Sequence, residues 1–295
     1  MPVQVRLRAP PNIYIPASAG FFYIYFWYNS LIMPSIYTHQ DFADRLLSIL
    51  PEEIGRMVQR HPDCYHLGSL GPDPLYFYGP LKGNPLYSLG DRIHNQPIYE
   101  MLHTKKNISQ DERCYLFGYI THYVLDRNCH EYIYHIDPES KIHHILEAEL
   151  DKRIALQDMR YESISYVKRM RTDTSDYAFV SSILEVNCKK YRSAVKSMKR
   201  LIGLLMSMNP VLRFFTRICL SMTPRFHKYK EIMFTKEKNS ALDKDMEELF
   251  YRFEQSMNEA KSDILEFDSY LDGKIEDIHF GKDYTFEGNR RRKES

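Results

Sequence analysis

The stretch His122-Tyr-Val-Leu-Asp126-Arg-Asn-Cys-His130 sets two imidazoles and a carboxylate at intervals of four. On a helix, positions four apart differ by only ~40° in azimuth, so the three side chains share an arc of ~80°. Such a face can offer two nitrogens and a carboxylate to one or two cations. A solvated polar stripe, or a core histidine at His122, is the plain alternative. Asp126 weighs toward the cation, because it follows Tyr123-Val124-Leu125 in a segment that reads as buried. An ionised carboxylate there needs a base, a cation or a metal. His143 and Glu147 repeat the interval of four on the next helical segment, and two such pairs on successive helices can converge on a shared site. Gly71-Pro72-Asp73-Pro74 adds a carboxylate held in a stiff turn. Glu100-Met-Leu-His103 has the spacing of a ferritin-like pair, but that site needs two such pairs and this is one.

Ten of the twelve histidines fall between His39 and His144, about one third of the chain, and this clustering favours a chemical site. The chain has 295 residues, 43% of them apolar, and a formal charge of +1, which gives no support for a nucleic-acid reader working by bulk electrostatics. The five cysteines are scattered without CxxC spacing, as suits a reducing compartment.

The elements that must position these groups are helical. Thirteen of the fifteen prolines lie at or before Pro138, and no glycine occurs between Gly118 and Gly203, so a loop-rich front precedes a helical back. Thr38-His39-Gln40-Asp41 reads as a capping box opening a helix that Pro51 closes. Further helices are expected over 52–60, 92–105, 110–135 and 138–170, with a turn-rich passage from His61 to Leu89. Beyond 170 longer helices break at Asn209-Pro210 and Thr223-Pro224. After Ser240, Met246, Leu249, Phe253, Met257, Ala260, Ile264 and Phe267 recur at steps of three and four, a packing stripe. No period-2 strand pattern of any length occurs. The expected class is all-α, a multi-helix bundle with a loop-rich N-terminal half. Three regions are expected: 1–32 as an N-terminal extension, either a misassigned start or membrane-associated; 33–170 as the metal-binding core; and 171–295 as helices completing the bundle.

The ordered set His39, Gly71-Pro72-Asp73, His94, His122-x-x-x-Asp126-x-x-x-His130 and His143-x-x-x-Glu147 resembles the zinc-dependent phospholipase C family, whose all-helical fold is shared by the fungal single-strand-specific zinc nucleases. The likeness covers about Met33 to Asp151. It implies that Asp73, His94 and His122 hold one zinc, with Asp126 bridging to a neighbour. It assigns His130, His143 and Glu147 to a second ion, and His39 with Asp126 to a third. Two to three Zn2+ ions are therefore expected, the third being the least supported, because the secreted relatives complete it with an N-terminal tryptophan and the lone tryptophan here is Trp27.

The implied activity is hydrolysis of a phosphodiester, a phospholipid in the first instance, with Asp73 orienting or deprotonating the attacking water. Lys82 and Arg127 are candidate phosphate contacts. The rival readings are a zinc nuclease of the same fold and a non-catalytic metal-binding or scaffold protein. No specific nucleic acid is expected as a partner, whereas peripheral membrane contact is. A cytoplasmic or membrane-associated location is expected ahead of secretion, and the sequence leaves the oligomeric state open.

Overall fold

A computed structural model describes residues 35–79, 83–157, 177–222, 227 and 229–288, and these all belong to one compact unit spanning 32–295. The described residues are helical and include no strand, with a single antiparallel bridge between Pro97 and Thr285. The protein is all-α, as the spacing of its apolar residues predicts. Residues 1–34, Lys82, the segment 158–176, Thr223-Pro224 and the basic tail Arg290–Lys293 lie outside the described residues, so expectations placed there have no structural counterpart here.

The centre of the bundle is α6 (Gln110–Ile136). It opens on a reciprocal capping box in which the Ser109 hydroxyl accepts from the Glu112 amide and the Glu112 carboxylate accepts from Ser109 N–H. From Cys114 to Asp126 every residue of α6 is buried. A helix enclosed on all sides must be surrounded by others, and α1 (Ile36–Leu47), α3 (Pro62–Gly68), α7 (His143–Gln157) and α11 (Asp243–Leu271) all pack against it. Helix α3 approaches most closely. A Cβ on Gly118 would fall 2.0 Å from the Tyr65 carbonyl oxygen, and one on Gly68 equally near the Tyr115 carbonyl oxygen, so glycine on both helices permits the crossing. Helix α11 buries Met246, Leu249, Phe253, Ala260, Ile264 and Phe267, the core of the predicted stripe.

Other expectations need correction. The passage 61–89 is more ordered than its prolines and glycines suggest, since it contains α3, a 3-10 turn at Asp73–Phe77 and the start of α4 (Tyr87–His94). The helix expected over 92–105 is two pieces, α4 and α5 (Tyr99–Leu102), interrupted at Gln96-Pro97 where proline cannot supply the ladder donor. The helix expected from 138 begins only at His143. Before it, the Asp137 carboxylate accepts from the backbone N–H groups of Lys141, Ile142 and His143 and so starts α7 from outside it.

Thr38 is not an N-cap either. Helix α1 starts two residues earlier, at Ile36, and the Thr38 hydroxyl and amide both donate to Asp151 on α7, the amide at 2.8 Å. A carboxylate 113 residues away thus occupies the position that a local box would fill. The remaining helices are α2 (Glu52–Arg60), α8 (Ala178–Ile183), α9 (Cys188–Leu205) and α10 (Pro210–Met222). The last begins at the predicted Asn209-Pro210 break.

Candidate metal centre

Each of the eight candidate side chains reaches the interior from a different register of the bundle. Helix α1 brings His39, the 3-10 turn Asp73, the end of α4 His94, α6 its row His122, Asp126 and His130, and α7 the pair His143 and Glu147. All are buried except His143, which is mostly so. They gather into three groups whose ligand-type atoms lie within 4.8 Å of one another: His39, His122 and Asp126; Asp73, His94 and His122; His130, His143 and Glu147.

Asp126 faces three imidazoles with its two oxygens. Oδ1 is 3.0 Å from His39 Nε2, while Oδ2 is 3.0 Å from His122 Nε2 and 3.9 Å from His94 Nε2. Asp73 Oδ1 stands 3.2 Å from His94 Nε2 and 3.8 Å from His122 Nε2. In the third group one Glu147 oxygen faces both His130 Nε2, at 3.2 Å, and His143 Nε2, at 3.1 Å.

The backbone at Gly71 is shaped for this approach. Its φ is +52°, and a Cβ there would sit 2.2 Å from the His122 ring, so Gly-Pro-Asp can lie against α6 only with glycine in first place. His94 is fixed from behind, its Nδ1 being 2.9 Å from the Gly90 carbonyl and 2.9 Å from the Tyr76 hydroxyl. With acceptors at Nδ1, the Nε2 lone pair is left facing Asp73, the second-sphere arrangement usual for a ligating histidine.

Several buried atoms at this place have no hydrogen-bond partner: both oxygens of Asp73, Nε2 of His94 and His122, and Oδ2 of Asp126. Each such atom costs roughly 1–3 kcal/mol if left so, and their convergence on one spot is what a cation would satisfy. The spacing fits as well. Ligand atoms ~2.0–2.1 Å from a tetrahedral zinc lie roughly 3.3 Å apart, close to the separations seen. An all-imidazole and carboxylate donor set without cysteine suits catalytic rather than structural zinc.

The charges are interlocked. Burial favours the neutral His94 and His130 rings, yet the surrounding carboxylates outweigh it and raise them to about 9 and about 10; for His94 the partners are Asp73, Glu287 and Asp126, for His130 they are Asp126, Glu147 and Glu287. His39 is raised for the same reason, with Asp126 as its main partner against burial. Burial would raise Asp126 and Glu147, but histidines on every side hold Asp126 well below the carboxylate range and Glu147 at about 2.

Sequence reasoning missed four further groups. Tyr76 buttresses His94. Asp151 ties α7 to the start of α1, and burial pushes its carboxyl up to about 7 against the opposing hydrogen bonds from Thr38 and Tyr37. Phe286 and Glu287 arrive from the far C-terminal segment. Phe286 packs its ring against His94 and His122, donates its N–H to the His94 carbonyl, and presents its own carbonyl 3.3 Å from His130 Nδ1. Glu287 Oε2, buried and without a hydrogen-bond partner, lies 3.8 Å from the same nitrogen. No spacing in the sequence links these residues to a histidine row 156 positions earlier.

Other candidates go elsewhere. Arg127 pairs with Glu259 and lies over the Tyr123 and Tyr284 rings, so it is engaged in packing. His103 stacks on Tyr99 at 4.6 Å between ring centroids.

Comparison with curated proteins and with solved structures finds no match. The family model described as zinc dependent phospholipase C matches residues 38–198, more than half of the chain, and its span contains all eight clustered side chains. With the ordered ligand-type residues, the all-helical bundle and the match agreeing, the chain belongs to the zinc-dependent phospholipase C family.

Proposed function

We propose that the protein is a zinc-dependent phosphodiester hydrolase acting on phospholipid, with Asp73, His94 and His122 holding one ion, His130, His143 and Glu147 a second, and Asp126 joining the first to a further site with His39. The observation that carries this reading is the Asp126 carboxylate, whose two oxygens address different imidazoles while Oδ2 keeps no hydrogen-bond partner. Bound zinc supplies Lewis acidity, neutralising phosphoryl charge and acidifying water toward neutral pH. The protein's own groups do the rest. Asp73 presents two unpartnered oxygens beside His94 and His122, suited to orient a water and to take its proton at Oδ. Tyr76 and the Gly90 carbonyl hold His94 in the tautomer that leaves Nε2 free. Phe286 walls the site with an apolar ring and keeps bulk water from the His94 and His122 side.

The test is phosphate-ester release from phosphatidylcholine vesicles, a water-soluble phosphodiester and single-stranded DNA by the zinc-loaded and chelator-treated protein. Zinc-dependent turnover of the phospholipid is expected, and Asp73→Asn should lower kcat by about a hundredfold or more. Turnover of DNA alone would assign the centre to a nuclease, and turnover of none would leave a non-catalytic metal protein.

A further inference from the structure

Helix α10 (Pro210–Met222) is built inside out. Taking 100° per residue, Val211, Phe214, Phe215, Ile218 and Met222 fall within an arc of ~100°, an apolar stripe of the kind that normally faces a core. The residues on the opposite side of the helix, Thr216 and Leu220, are the buried ones. The stripe faces outward: Val211 and Phe214 are 63% exposed, Phe215 58% and Met222 77%. Among the described residues thirteen large apolar side chains are exposed, and eight of them lie between Leu204 and Met222, so the exposure is concentrated in one patch. Patches of this kind mark interaction surfaces.

The charge of the same region selects the partner. From Val186 to Lys230 the sequence holds eleven lysines and arginines and no aspartate or glutamate, in a chain whose formal charge is only +1. Lys189, Lys190, Arg200 and Arg217 are exposed. A second copy docking on this face would bring two such basic regions together at like-charge cost. An anionic lipid surface would attract them while accepting the phenylalanines, the two requirements of an interfacial amphipathic helix.

The helix is too short to span. Thirteen residues reach ~20 Å, against ~30 Å of hydrocarbon, and α9 before it, bent from it by 111°, buries Tyr191, Ala194, Val195, Met198 and Ile202 within the protein. No single described helix is long and apolar enough to cross a membrane. Helix α9 in turn packs on the Asp73–Phe77 turn, so the exposed face is tied through one helix to the element carrying Asp73.

We infer that α10 lies in the plane of an anionic membrane surface, with Val211, Phe214, Phe215, Ile218 and Met222 in the acyl boundary and the exposed basic residues of α9 and α10 against the headgroups. This deepens the phospholipid reading and rests on it for its purpose, though its test does not depend on turnover. The full zinc-loaded chain is sedimented with vesicles of phosphatidylcholine alone and of equimolar phosphatidylcholine and phosphatidylglycerol, beside Phe214→Ser/Phe215→Ser and Arg200→Glu/Arg217→Glu. The wild type should partition onto the mixed vesicles and come off at high salt. The phenylalanine variant should lose about tenfold or more of that partitioning. The charge-reversal variant should lose about tenfold on mixed vesicles only. Both should hydrolyse a water-soluble phosphodiester as the wild type does.

Wild-type protein that stays in the supernatant, or a phenylalanine variant that sediments like the wild type, overturns the assignment. So does a wild-type dimer that the phenylalanine variant dissolves, which would give the face to a second copy. Intact vesicle binding with no phosphodiester hydrolysis by any form would defeat the enzymatic reading and leave the docking face standing.

Discussion

Asp126 and Gly71 show how much of the centre depends on single residues. Removing the Asp126 charge takes the only carboxylate from the group it forms with His39 and His122, and it removes a negative charge that also acts on His130. Gly71 acts through space instead: Gly71→Ala puts a methyl group into the His122 ring and a left-handed φ on a residue that disfavours it. Thermal denaturation of the metal-free protein should show a loss of about 1–3 kcal/mol or more, and zinc retention should fall with it. A variant as stable as the wild type would mean that His122 and the Gly-Pro-Asp turn are not packed as described. Both residues stand out in the sequence, the aspartate by its four-residue interval and the glycine by its place before Pro72-Asp73. Tyr76 does not, because nothing local marks one tyrosine of twenty-three as the one behind His94.

At the scale of elements, helices whose stripe faces the core were the legible ones. Helix α11 could be read from apolar spacing alone. Thr38-x-x-Asp41 misled because a local pattern was met by a distant partner, the Asp151 carboxylate. Helix α10 carries a core-like stripe that points outward, and no periodicity distinguishes the two cases. The C-terminal strap Tyr284–Gly288 was invisible for a related reason: its contacts with α6 and α4 are long-range and use a backbone carbonyl and an aromatic ring. It makes a specific prediction. Glu287→Gln and Phe286→Ala should each weaken zinc binding about 10–100-fold in chelator competition, the range for groups that orient a ligating histidine. Unchanged zinc affinity in both variants would reduce the strap to packing.

The whole molecule, free of metal, should respond to pH in a direction set by its buried histidines. His94 and His130 titrate at about 9 and about 10 when folded, above the ordinary histidine value near ~6.5. Protons are thus bound more tightly in the folded state. The stability they contribute is complete below ~6.5 and is lost as pH rises through about 9 and 10. Asp151, raised to about 7, adds a loss of the same sign between its unfolded value near ~4 and about 7. The midpoint of thermal unfolding of chelator-treated protein should therefore fall from pH 6 to pH 10. Zinc must displace these protons, so apparent zinc affinity should rise over the same interval. A metal-free protein that gains stability toward pH 10 would refute the interlocked charges described here.

If Asp126 joins a multi-ion centre, the metal content of the protein depends on that one carboxylate, and elemental analysis of purified protein reads this content. At least two zinc ions per chain are expected in the wild type, and fewer in Asp126→Asn that still unfolds cooperatively. A folded wild-type chain that binds no zinc, or an Asp126→Asn variant with unchanged stoichiometry, would contradict the account.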